Sequence, residues 1–278
     1  MTDFHTLLEV MNAGELPLFK ELIEKESAKW IHFSDDEGWN LLHHAAEYGD
    51  ISFIRFLLDA GVNPNQKSHS GYYPFYITIE TGTYTREIAE LFISRNAYVG
   101  SDLHKAILIQ DTEKCKSLIS AGFDLECTDE FGNHPLHNAV VTGNKVIAKL
   151  LLDNGANVNC QDISQTTPLH AICADRTEDL LPFILTYKPD AEICDYNGRT
   201  AIIFAAGNAF IDGVNQLLAY GVNINLQDHF GNTALHYAFE NSEIEIAQTL
   251  IKAGADVHLI NEDGQQPFDL FPGETTEE

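Results

Sequence analysis

Residues 129–161 read DEFGNHPLHNAVVTGNKVIAKLLLDNGANVNCQ, and every segment of this stretch has a local physical assignment. Asp129-x-x-Gly132 followed by a polar residue is turn chemistry, because glycine accepts a backbone conformation that a Cβ opposes. Pro135 suits a first helical turn, and Leu136, Ala139 and Val140 follow at helical spacing as a short inner helix. Gly143 ends that helix, and Val146, Ile147 and Leu150 to Leu152 make a second, more apolar one closed by Gly155. The unit is turn, helix, helix.

The stretch recurs in both directions. Glycines stand 33 residues apart at Gly132, Gly198, Gly231 and Gly264, with Gln165 at the missing beat, and at Gly38 and Gly71. A histidine follows five residues after most beats, at His43, His137, His170 and His236. Self-similarity at a fixed period predicts an all-α solenoid read as one continuous array, since a single unit cannot bury its apolar face and stacked units can. Residues 1–34 read as an N-terminal capping helix pair (roughly Asp3–Asn12 and Glu15–Glu26), with Phe4, Leu7, Leu8, Met11, Leu18, Phe19, Leu22 and Ile23 at core spacing. Repeats occupy 35–260, and 261–278 reads as a capping half repeat with a frayed acidic tail. The region 68–104 is irregular: the signature Asp102-Leu103-His104 arrives 28 residues after Tyr76, which fits two residues gained around Thr83–Asn96 and about seven lost at Tyr98–Asp102. Pro182 falls inside a second helix, where it is expected to kink or delay it.

This pattern resembles the ankyrin repeat. The residues that carry the resemblance are His134-Pro135-Leu136-His137, Thr167-Pro168-Leu169-His170, Thr233-Ala234-Leu235-His236 and Asn40-Leu41-Leu42-His43, with closing pairs Gly155-Ala156 and Gly254-Ala255. The resemblance implies stacked units that bind partner proteins and rarely catalyse. As a stand-alone array the chain is similar in organisation to bacterial ankyrin effectors delivered into host cells, and to acidic immunity proteins that neutralise toxins. The alternative from another class is an enzyme or modifier acting through 72–104.

Charge and motifs narrow the function classes. Sixteen Lys and Arg against 42 Asp and Glu give a net charge of −26, which offers no basic groove for phosphates and favours a basic or mixed-charge protein partner. No apolar run is long enough to span a membrane, and the start MTDFHTLLEV lacks the basic-then-apolar pattern of a signal, so a cytoplasmic or specially secreted protein is expected. Cys115, Cys127, Cys160, Cys173 and Cys194 form no CxxC pair and read as reduced thiols. His43, His104, His137, His170 and His236 share one helix-start position and read as structural, so no metal, cofactor or catalytic residue is expected. Tyr76, Ile203 and Asp269 break that series.

The candidate binding residues lie on the turns and the ends of the first helices. Trp39, Tyr72, Phe131, Tyr196 and Phe230 stand beside the turn glycines and are read as equivalent exposed aromatics, common anchors of interfaces; paired truncation of Trp39 and Tyr72 should leave the fold intact. Asp36, Glu37 and Glu130 join them on the tips, and Glu47, Tyr48, Glu80 and Glu240 at the helix ends, giving an aromatic and acidic concave surface. The competing reading is that the tip aromatics lie flat between neighbouring turns.

Overall fold

A computed structural model describes residues 4–271, apart from the side chains of residues 27 and 28; Asp3 and the tail 272–278 lie outside the described residues. Within them the secondary structure is helical, without strands. The chain divides into two compact units, one up to Asp111 and one from Thr112.

The first unit holds α1 (Phe4–Asn12), α2 (Leu16–Lys25), α3 (Ser27–Trp30), α4 (Leu41–Tyr48), α5 (Ile51–Asp59), α6 (Pro74–Glu80), α7 (Arg86–Ser94) and α8 (Asp102–Leu108). The second holds α9 (Thr112–Ser120), α10 (Pro135–Val141), α11 (Lys145–Asp153), α12 (Pro168–Asp175), α13 (Leu181–Leu185), α14 (Ala201–Gly207), α15 (Ile211–Tyr220), α16 (Ala234–Glu240), α17 (Ile244–Lys252) and a closing 3₁₀ turn, Pro267–Leu270. In each unit first helices pack on first helices (α4 on α6, then α10, α12, α14 and α16 in order) and second helices on second helices (α5 on α7, α15 on α17). At the fifth position of the first helices, Ala45, Ala106, Ala139, Ala205 and Ala238 are fully or almost fully buried and allow close approach, while α6 and α12 bury Thr78 and Ile172 there. The second helices supply bulk through residues such as Phe53, Phe92, Ile147, Leu151 and Leu217.

Three local departures have physical causes. Leu18 is 43% exposed, against the core position its spacing predicts, because α2 packs through Phe19 and Ile23 and the neighbouring position points about 100° away. Pro182 lies in the first turn of α13, a five-residue helix starting later than its counterparts, where the missing N–H costs nothing. In the irregular region α6 and α7 have the same lengths as α10 and α11; the two extra residues lie in the loop 81–85, and only residues 95–101 separate α7 from α8 where 154–167 separate α11 from α12. The lengthened loop is tied down on both sides. Thr83 Oγ1 donates to Ala46 O at 2.7 Å, and the Tyr84 hydroxyl donates to Leu108 O.

Candidate protein interface

Each regular turn is built on one side chain. Oδ1 of Asp35, Asp129, Asp162, Asp195 and Asp228 accepts the N–H groups two and four residues ahead at 2.8–3.0 Å. The second oxygen finds a different partner in each repeat, such as His44 Nε2 for Asp35 at 2.9 Å, or the Tyr237 hydroxyl for Asp228 at 2.7 Å. Successive turns then bond through the backbone: His69 N–H donates to Glu37 O at 2.8 Å, and in the second unit Ile163 to Phe131 at 3.1 Å, Tyr196 to Ser164 at 2.8 Å, His229 to Asn197 at 2.8 Å and Glu262 to Phe230 at 2.9 Å. This ladder explains two demands on glycine. Gly132 and Gly231 have φ of +76° and +77°, and a Cβ on either would stand 2.7–2.8 Å from the backbone of the next turn.

The repeated histidines close the structure from below. At the third position of their helices, His43, His137, His170 and His236 accept through Nδ1 the N–H of the residue preceding the helix at 3.0–3.2 Å. The proton therefore sits on Nε2, which donates to a carbonyl 29 residues ahead: Tyr72, Thr166, Arg199 and Gln265 at 3.0–3.3 Å. Burial holds the His43 and His137 imidazoles down to about 4 and pushes those of His170 and His236 down as well. Among the described residues no group of three or more His, Cys, Asp or Glu side chains gathers as a metal site.

These turns decide where the candidate aromatics sit, and the five occupy three different positions instead of one. Trp39 and Tyr72 follow their glycine, where the N–H is tied to the turn and the side chain is half-buried; Trp39 stacks on His43 with centroids 5.6 Å apart and lies 5.1 Å from His44. Phe131 and Phe230 precede the glycine, the former half-buried and the latter 55% exposed. Tyr196 stands two before it, 68% exposed, in the same slot as the 67% exposed Ile163, which sequence reasoning missed because it sought aromatics next to a glycine and that turn has Gln165. A register counted from the aspartate finds Ile163.

The acidic candidates follow the same geometry. In the first unit Asp36 and Glu37 are exposed on a tip, Glu80 is exposed at the end of α6, and Glu47 with Tyr48 line an open groove of 400 Å³ with Leu8, Asn12 and His44. The Tyr48 hydroxyl donates to Asn12 O at 3.4 Å. In the second unit Glu130 is half-buried and Glu240 is exposed at the end of α16, on the rim of an open groove of 420 Å³. Across the turns and first helices of this unit (129–141, 162–175, 195–207, 228–240 and 261–270) ten carboxylates stand against one base, Arg199, which is itself paired with Asp195 at 2.7 Å. The lysines of this unit lie on or just after the second helices instead, as Lys149 and Lys252 do.

Comparison with known proteins agrees with this architecture. The family model for ankyrin repeats matches in three copies, over residues 7–102, 103–187 and 171–261. The human transient receptor potential cation channel subfamily A member 1 is 31% identical over 67 residues, which cover 24% of this chain and 6% of that channel. Among the described residues no helix is long and apolar enough to cross a membrane. Ankyrin repeats generally mediate protein–protein interaction. A turn-helix-helix unit matched over nearly the whole chain, stacked through turn aspartates, turn glycines and bridging histidines, places this protein in the ankyrin repeat family.

Proposed function

We propose that the turns and first helices of the second unit hold a basic segment of a partner protein, making the chain a binding scaffold. The observation that carries this reading is the segregation of charge: beyond the four turn aspartates, whose oxygens are taken up within their own repeats, six carboxylates (Glu130, Asp175, Glu240, Glu262, Asp263 and Asp269) stand on these segments against one paired arginine, with Tyr196 and Phe230 exposed on them as apolar anchors. In the first unit Asp36, Glu37, Glu47, Tyr48 and Glu80 offer a smaller surface of the same kind, with Trp39 and Tyr72 serving packing. An effector acting inside a host cell and an immunity protein blocking a basic toxin both suit such a face. The captured partner's identity separates them.

The test is affinity capture from the source cells, repeated with variants. Tyr196→Ala with Phe230→Ala should weaken the captured complex at least about tenfold, as expected for hot-spot anchors, while Glu240→Gln should slow association and flatten its salt dependence. Glu245→Gln with Lys252→Gln, on a second helix, is the control. A partner released by the control pair and held at wild-type affinity by the tip variants would move the function to the second-helix face.

A further inference from the structure

The last repeat of the second unit leaves uncovered what the others bury. Second helices in this unit pack both on the first helix of their own repeat and on a neighbouring second helix: α11 on α10 and α9, α13 on α12 and α15, α15 on α14 and α17. Among the described residues no second helix follows the closing 3₁₀ turn, so that turn and α17 each lack one neighbour. The consequence shows at two positions. Phe268, the second residue of the 3₁₀ turn, is 68% exposed, whereas Leu136, Leu169, Ile202 and Leu235, the second residues of α10, α12, α14 and α16, are almost fully buried. Ile251, the eighth residue of α17, is 42% exposed, whereas Leu152 in the same place on α11 is buried and Leu218 on α15 is half-buried. The Phe268 ring is held by Phe239 and Phe271, with centroids 5.4 and 6.1 Å away. Residues 272–278, PGETTEE, contain no aromatic or aliphatic side chain beyond proline with which to cover it.

We infer that this end of the array seats an amphipathic, basic helix of a partner protein, lying against the 3₁₀ turn and α17 where a further second helix would lie. Two observations select that occupant. The seat has the geometry of the chain's own second helices, which bury their third, fourth and seventh residues (Ile147, Ala148 and Leu151 in α11; Ile246, Ala247 and Leu250 in α17), so a helix with an apolar stripe at that spacing matches it. Its frame is acidic: from Asn241 to Phe271, Glu243, Glu245, Asp256, Glu262, Asp263 and Asp269 stand against Lys252. Asp256 and Asp269 each turn one oxygen to a local N–H, of His258 at 2.9 Å and Gln266 at 2.8 Å, which leaves Glu243, Glu245, Glu262 and Asp263 for the lysines or arginines that flank the stripe. An acidic helix would meet like charge on this frame. The seat is separate from the exposed tip aromatics Tyr196 and Phe230 and stands or falls independently of them.

The probe is a synthetic peptide of about 18 residues, long enough to hold a helix, with leucine at the positions of that stripe and lysine on the remaining face. It carries fluorescein and is followed by anisotropy with the full chain. Ile251→Ser with Phe268→Ser should raise Kd at least about tenfold, and a peptide of the same composition with its leucines scattered round the helix should bind wild type at least about tenfold more weakly. Tyr196→Ala with Phe230→Ala, on the tips, should change this Kd less than about twofold. A benzophenone set in the leucine stripe should crosslink the unaltered chain within residues 244–271, a readout that needs no variant. An unchanged Kd in the serine pair, or crosslinks only outside 244–271, would overturn the seat. Sedimentation that shows a wild-type dimer dissolved by the serine pair would assign this face to a second copy and overturn the partner helix.

Discussion

The His170 imidazole donates through Nε2 to the carbonyl of Arg199, 3.0 Å away and 29 residues ahead in the next repeat. Its Nδ1 accepts the Thr167 N–H at 3.1 Å, so one neutral ring ties the start of its own helix to the following turn. A protonated ring cannot accept at Nδ1, which makes the joint between repeats sensitive to acid.

The sign of that sensitivity follows from burial. His43 and His137 titrate at about 4 in the fold, against 6.5 for the ordinary side chain, so between those values the unfolded chain holds more protons. Their contribution is complete above pH 6.5 and is lost as pH falls toward about 4, at a rate of about 1.4 kcal/mol per pH unit for each histidine. Urea denaturation at several pH values across this window should show stability falling with acid, and His137→Gln should show a shallower slope than wild type. A flat profile across the window would contradict the neutral-ring assignment.

The two threonines that precede α12 and α14 should respond in opposite ways to the same change. Thr167 Oγ1 lies 2.8 Å from His170 Nδ1, whereas Thr200 Oγ1 is buried with no partner beside Ile203. Thr167→Val should lose about 1 kcal/mol, and Thr200→Val should be neutral or stabilising because it removes an unsatisfied hydroxyl at constant shape. Paired denaturation curves decide this. Equal losses would mean that the hydroxyl of Thr200 has a partner in solution.

Turn glycines and helix-ending glycines should also separate. Gly231→Ala meets both a left-handed backbone and the Asn261 Cα at 2.8 Å, while Gly254→Ala at φ +98° meets open space. The first should cost more than the second, whose backbone penalty alone is about 1–2 kcal/mol. Thermal melts of the two variants give the comparison, and identical shifts would show that adjacent turns are not in contact.

Trp39 and Tyr196 test the division between packing and binding aromatics. Trp39→Ala removes a half-buried ring stacked on His43 and should lower stability by about 1–2 kcal/mol, contrary to the expectation that truncation of tip aromatics leaves the fold intact. Tyr196→Ala, at 68% exposure, should leave the melting temperature within about a degree or two. A stable Trp39→Ala protein would return that residue to the candidate anchors.

The sequence alone determined the repeat, the helix pairs, the proline and glycine positions that bound them, and the residue arithmetic of the irregular region. Each follows from chemistry acting within a few residues: a φ that glycine tolerates, an N–H that proline lacks, apolar spacing along one helix. Only the tertiary structure decided which turn aromatics face solvent, because Trp39, Phe131 and Tyr196 differ in their place on the turn and the cover of each side chain comes from packing beyond the turn itself. It also decided that Phe204 and Tyr237, 33 residues apart in sequence, line one groove, since they come together only once α14 and α16 pack. Local propensity is written along the chain, but exposure is a property of the neighbour, and the neighbour arrives only when the repeats stack.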